Sequence, residues 1–141
     1  MSSSANPSTA KIGVLLDEKL EQWQALNVTA FLVSGITHQH PELIGEEYTD
    51  ATDDAYLPLL GQPVMVYAAS PERLAQCHQR AVHRDLDMAI FSRGMFATNN
   101  DEDNRGVVRQ RHGDDLDLVG LAICSSKSAV DKVFAVARLH P

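Results

Sequence analysis

Apolar residues along this chain fall into short continuous runs separated by longer stretches of helical spacing. "KIGVLL", Lys11 to Leu16, is such a run, ending at the polar "DEK", and it suits a strand buried on both faces. From Leu20 to about His38, Trp23, Leu26, Ala30, Phe31 and Ser34 recur near helical spacing, with Val28, Leu32, Gly35 and Ile36 widening the apolar face. That pattern predicts a substantially buried helix, with a break near Ala25 as a variant. Residues 41–62 hold two prolines, two glycines and six acids, which predicts an extended or looping excursion. "PVMVYAAS", Pro63 to Ser70, reads as the second strand. A helix start follows it: Ser70 as N-cap, Pro71 at the first helical position, and Glu72 near the positive end of the dipole. Leu74, Cys77, His78, Ala81 and Val82 form its inward stripe. "LDMAIFS" (Leu86 to Ser92) and "DLVGLAICS" (Asp117 to Ser125) are the third and fourth strands. "SKSAVDKVFAVARL" (Ser126 to Leu139) is a closing helix with Val130, Val133, Phe134 and Ala137 on one face. Strands alternating with helices argue for an α/β domain with a largely parallel sheet. Between the third and fourth strands, residues 93–115 are polar, glycine-containing and charged in both signs. Loops beyond the carboxyl ends of strands line the ligand crevice of open α/β sheets, so function is sought there first.

Composition narrows the picture. A chain of 141 residues, 44% hydrophobic, supports one core, so residues 11–141 are read as a single domain. "MSSSANPSTA", residues 1–10, is read as a disordered tail; it lacks the basic and apolar regions of a secretory signal, which makes the cytoplasm the expected compartment. A formal net charge of -7 disfavours a nucleic-acid partner, because phosphate backbones are held by clustered lysines and arginines. No apolar run approaches the roughly 20 residues needed to cross a bilayer. Cys77 and Cys124 form no CxxC pair and are read as reduced, buried thiols.

Motifs with chemistry are few. "ICSSKSAVDKV", Ile123 to Val133, runs a strand into a helix through two serines, but it has none of the glycines that a phosphate loop needs to converge backbone N–H groups. A Ser125 or Ser126 cap is the simpler account. His38 and His40 lack a third ligand at suitable spacing, and His78 and His83, five apart, do not share a helix face. Both of that pair are read as surface or boundary residues. Asp53-Asp54 and the acidic run 101–103 depart from the calcium-loop pattern and are read as solvated loops. No metal or cofactor is expected. No GxSxG elbow is present. Trp23 is read as a core or interface anchor. Asn27, an amide in a largely apolar helix, has either a local partner or a place in a pocket.

"LVGLAICSSKSAVDKVFAVARL" is similar to the closing strand and helix of type-2 peptidyl-tRNA hydrolases, and "NVTAFLVSG" lies where those enzymes carry "GKxAAQxxHA". From about Lys11 onward the chain looks closest to small bacterial proteins sharing that fold, the domain of unknown function family two thousand. "MFATNNDEDNR", Met95 to Arg105, is the most distinctive part of that resemblance. The resemblance places the hydrolases' helix lysine at Asn27, with Leu26 in place of the preceding glycine. "SRGMFATNN" offers Arg93 and Gly94 without the aspartate of the hydrolase Asp-Ala-Gly-x-Thr-Gln loop. These departures, with the acidic charge, argue against peptidyl-tRNA hydrolysis.

The resulting expectation is a three-layer α/β/α fold of the type-2 peptidyl-tRNA hydrolase kind, with a mixed, mainly parallel sheet of about four strands. The expected function is binding of a small ligand or protein partner where the Asn27 helix faces the 95–105 loop. Candidate residues are Asp17, Asn27, Thr98, Asn99, Asn104 and Arg105, with Arg105 as a clamp for a carboxylate or phosphate and Thr98 and the three asparagines as uncharged orienting groups. Hydrolysis of peptidyl-tRNA or a related ester is the alternative. The hydrolase resemblance also implies a homodimer.

Overall fold

The structure, a computed structural model, describes residues 10–141. The expected N-terminal tail lies outside the described residues except for Ala10, which opens the first strand.

Strand β1, Ala10–Asp17, occupies the middle of a five-stranded sheet of order β5-β6-β1-β4-β7. Its neighbours are β4, Val64–Ala69, and β6, Leu118–Ser126; β5, Ala89–Ser92, and β7, Arg138–Leu139, form the edges. The apolar runs read from the sequence are therefore strands. Ile12, Val14, Leu15 and Leu16 are all essentially inaccessible, because a central strand covered on both faces has no solvent side.

Helix α1, Gln22–Gln39, packs on one face against Val14, Leu16, Phe91 and Val119. Helices α2, Pro71–His83, and α4, Lys127–Val133, cover the other, with Leu74, Cys77, Ala81, Val130 and Val133 in its core. This arrangement gives the three layers. Helix α1 runs without a break. Helix α2 begins as its sequence states: Ser70 Oγ accepts from the Arg73 N–H at 3.3 Å, and Pro71 occupies the first turn. His78 is buried rather than superficial, and Val82, assigned to the inward stripe, is 49% exposed; the stripe turns away from the sheet before the helix ends.

The sheet is mixed, but it is not mainly parallel. Only β1 and β4 pair in parallel; β1–β6, β5–β6 and β4–β7 are antiparallel. The cause lies in the 93–117 excursion. The Arg93 N–H donates to the Asp117 carbonyl at 2.8 Å, so the segment leaves and rejoins the sheet at one end. A connection that returns to its starting end makes the next strand run back.

Two further expectations are corrected. Residues 93–115 are not one loop: they form a 3₁₀ turn, Arg93–Ala97, then helix α3, Asp101–Arg109, and a short 3₁₀ turn, Gly113–Asp115. The closing helix does not reach Leu139. It stops at Val133, and Phe134 packs its ring 5.1 Å from that of Tyr67. The chain then reverses, and β7 uses the otherwise open edge of β4. The acidic excursion at 41–62 contains a short separate hairpin of β2, Tyr48–Thr49, and β3, Ala55–Tyr56. Asp53 carries φ 68° in its turn. Among the described residues, no helix is long and apolar enough to cross a membrane.

Candidate functional site

The exposed stripe of α1 carries Trp23, Asn27 and Phe31 at intervals of four, which stacks them on one face. The 3₁₀ turn after β5 lifts Phe96 toward this stripe, while Phe91 rises from the sheet beneath it. Ring centroids lie 5.9 Å apart for Trp23–Phe96, 5.1 Å for Phe91–Phe96 and 5.6 Å for Phe31–Phe91. These rings form the floor of a crevice of about 250 Å³. Trp23 and Phe31 are 56% and 50% exposed, so of the core or interface roles expected for Trp23, the core one does not hold.

The opposite wall is built by α3. Asn100 is its N-cap, its Oδ1 accepting from the Asp103 N–H at 2.8 Å. Asp101, Glu102 and Asp103 fill the first turn, where the positive end of the helix dipole favours carboxylates. The acidic run is thus a helix start and not a solvated loop. An asparagine followed by three acids was the local signal for it.

Thr98 Oγ1 lies 3.0 Å from the Met95 carbonyl and is hydrogen-bonded to the Asn104 side chain. One hydroxyl proton cannot serve both acceptors; turning the Asn104 amide lets its nitrogen donate to Thr98 instead. Either way the turn is tied to α3. Asn99 Oδ1 accepts from Asn100 Nδ2 at 3.1 Å.

Asn27, Thr98, Asn99 and Asn104 therefore line one crevice with Asn100 and Asp101. The Asn27 side chain makes no hydrogen bond to another described residue, so its donors and acceptor are open to a ligand. Arg105 is one step removed. It pairs with Asp101 and borders an adjoining shallow groove with Phe31, Ile90 and Val108. Asp17 is elsewhere: only 3% exposed, it accepts from the Lys19 N–H at 2.9 Å and from Arg93 Nη2 at 3.3 Å. Arg93 also reaches Asp117 Oδ2 through Nε at 3.1 Å. Asp17 thereby anchors the turn that carries the crevice without lining it. Sequence reasoning missed the contributions of Phe31, Phe91, Phe96, Asn100 and Asp101, because their exposure depends on how α1 and α3 face each other.

No lysine or arginine lines this crevice, and Asp101 is its one ionisable residue among those described. No group of three His, Cys, Asp or Glu residues among them could hold a metal ion. The thiols are distant in character: burial pushes Cys77 up to about 11, and raises half-buried Cys124 as well. Burial likewise lowers His78. At the Ser125-Ser126 pair before α4, Ser126 Oγ accepts from the Ala129 N–H at 3.1 Å, an ordinary N-cap.

A search of the curated proteins finds no match. Among solved structures, a protein of unknown function from Agrobacterium tumefaciens strain C58 superposes with a TM-score of 0.92 at 42% identity, covering 94% of this chain and 98% of that one. Residues 10–141 match the family described as "Protein of unknown function (DUF2000)", and the chain belongs to that family.

Proposed function

We propose that the protein binds a small, flat, uncharged polar ligand in the crevice between α1 and α3 and does not hydrolyse peptidyl-tRNA. The observation that carries this reading is an aromatic floor beneath a rim of amides, with no lysine or arginine among the described lining residues and the neighbouring Arg105 paired with Asp101. Aromatic faces stack a flat ring, and primary amides both donate to and accept from its polar edge. A nucleobase-like heterocycle or a ring amide has that pattern; a phosphate or carboxylate does not.

The hydrolase alternative draws its support from the sequence resemblance. The lining residues argue against it, since none is a serine, cysteine, histidine or lysine. Thr98, the sole hydroxyl there, is already engaged with α3. A type-2 hydrolase-like fold without the hydrolase chemistry is consistent with function residing in sites rather than folds.

The test is thermal stability against uncharged heterocycles and ring amides, with their phosphorylated counterparts alongside. A compound that stabilises the protein but not Asn27→Ala supports the reading. Equal stabilisation of both proteins moves the site elsewhere, and a preference for the phosphorylated compounds overturns the ligand class.

A further inference from the structure

A second cavity, of about 660 Å³, opens at the β4–β7 edge, where the carboxyl end of β4 meets the start of α2 and the turn before β7. Its floor is kept low by Ala68, Ala69, Ala135 and Ala137. Two arginines rise at its sides. Arg138 is fixed by the pairing of β7 with Ala68 and by the His140 N–H bond to the Val66 carbonyl at 2.9 Å. Arg73 stands in the first turn of α2, fixed by its backbone bond to Ser70 Oγ.

Neither guanidinium is used up. Arg73 Nη1 reaches the Val136 carbonyl at 3.4 Å, and Arg138 Nη1 meets Glu18 Oε1 at 2.7 Å. A guanidinium carries about five N–H donors and no acceptor, so each retains donors without a partner among the described residues. Glu18 is the one carboxylate on the lining, against two guanidiniums. In a chain of net charge -7, two arginines against one glutamate on the lining of one cavity leave a local excess of positive charge.

We propose that this cavity takes a small oxyanion, the carboxylate or phosphate group of a metabolite, held between Arg73 and Arg138. The planar guanidinium fork matches two oxygens of either group. Glu18 acts as an internal competitor, its carboxylate holding the Arg138 donors that the incoming anion takes. The site is independent of the crevice between α1 and α3, whose lining contains no cation.

The test uses the full chain, titrated with inorganic phosphate and with succinate, against chloride at equal ionic strength. Binding is followed by NMR on the arginine Nε–H groups and the Ser70 and Arg138 amides. Saturable shifts are expected with at least one oxyanion, and the stronger of the two identifies the source class. Arg73→Gln and Arg138→Gln should each weaken binding by about fivefold or more, while Glu18→Gln should strengthen it several-fold by removing the competitor. Spectral overlay with wild type checks that each variant is folded; should Arg138→Gln loosen β7, Arg73→Gln and Glu18→Gln still decide. The proposal is overturned if chloride reproduces the shifts, if neither anion saturates, if Arg73→Gln binds like wild type, or if Glu18→Gln weakens binding.

Discussion

Gly94 lies directly against Val107: a Cβ added at position 94 would come within 2.8 Å of Val107 Cγ1. The 3₁₀ turn and α3 approach too closely there for any side chain, and this contact sets the height of the wall carrying Thr98 and Asn104. Gly94→Ala should therefore cost about 1–3 kcal/mol by overpacking. Gly106, inside α3, meets nothing within 4 Å, and Gly106→Ala should stabilise by about 0.5–1 kcal/mol. Urea denaturation of the two variants tests the opposite signs; destabilisation by both would mean that α3 is packed differently.

Asn100 starts α3 through the 2.8 Å bond from the Asp103 N–H. Asn100→Ala should cost about 1 kcal/mol, and Asn100→Ser should retain most of the stability, since a serine hydroxyl also caps well; an aspartate is the poorer control, because Asn100 Nδ2 donates to Asp103 Oδ2 at 2.9 Å. Amide hydrogen exchange within α3 is the direct readout. Unchanged protection in the alanine variant would show that packing against the 3₁₀ turn holds the helix without its cap.

The Asp17 carboxylate is buried, whereas the Arg93 side chain that bonds it is 52% exposed. Arg93→Met leaves the carboxylate with the Lys19 N–H as its remaining described partner. Water reaching the exposed side of this pair offsets part of the loss, so the expected cost is about 1–2 kcal/mol. Asp17→Asn in the Arg93→Met background should recover some of it by removing the buried charge. A double-mutant cycle in urea measures the coupling, and additive effects would exclude a direct pairing.

Asp50 organises the 48–56 hairpin. It accepts from Tyr56 at 2.7 Å, from the Thr52 hydroxyl at 2.8 Å and from two backbone N–H groups. The Tyr56 hydroxyl is the leading cause that moves its pKa from the usual 3.8 to about 2, followed by Thr52. Because the folded value is the lower one, the contribution is complete above about pH 4 and fades as pH falls toward 2. The Tyr56 and Thr52 resonances should follow that titration, and Asp50→Asn should abolish the pH dependence over that range. A midpoint near 3.8 in the wild type would show that these bonds do not hold in solution.

Features encoded within one turn of chain were legible in the sequence. Ser70 and Pro71 announced α2, and the serine pair at 125–126 announced a cap that Ser126 supplies, because each forms its bond three residues away. The burial of β1 was equally readable, since an unbroken apolar run leaves no face for water. Asn27, Thr98, Asn99 and Asn104 were singled out by residue type and resemblance, and the structure brings all four to one crevice. Arg105 and Asp17 fell outside it because each has a closer carboxylate or guanidinium partner.

By itself, then, the sequence determined the central strands and the caps of α2 and α4. Tertiary structure alone decided the direction of β6, the stop of α4 at Val133, the exposure of Trp23 and Phe31, and the placing of Arg73 and Arg138 on one cavity. The physical reason is range. A cap or an apolar run is satisfied by neighbours in sequence, whereas the direction of β6 depends on a segment that brings Asp117 back beside Arg93, 24 residues away. The two arginines are brought to one cavity only when β7 pairs with the free edge of β4.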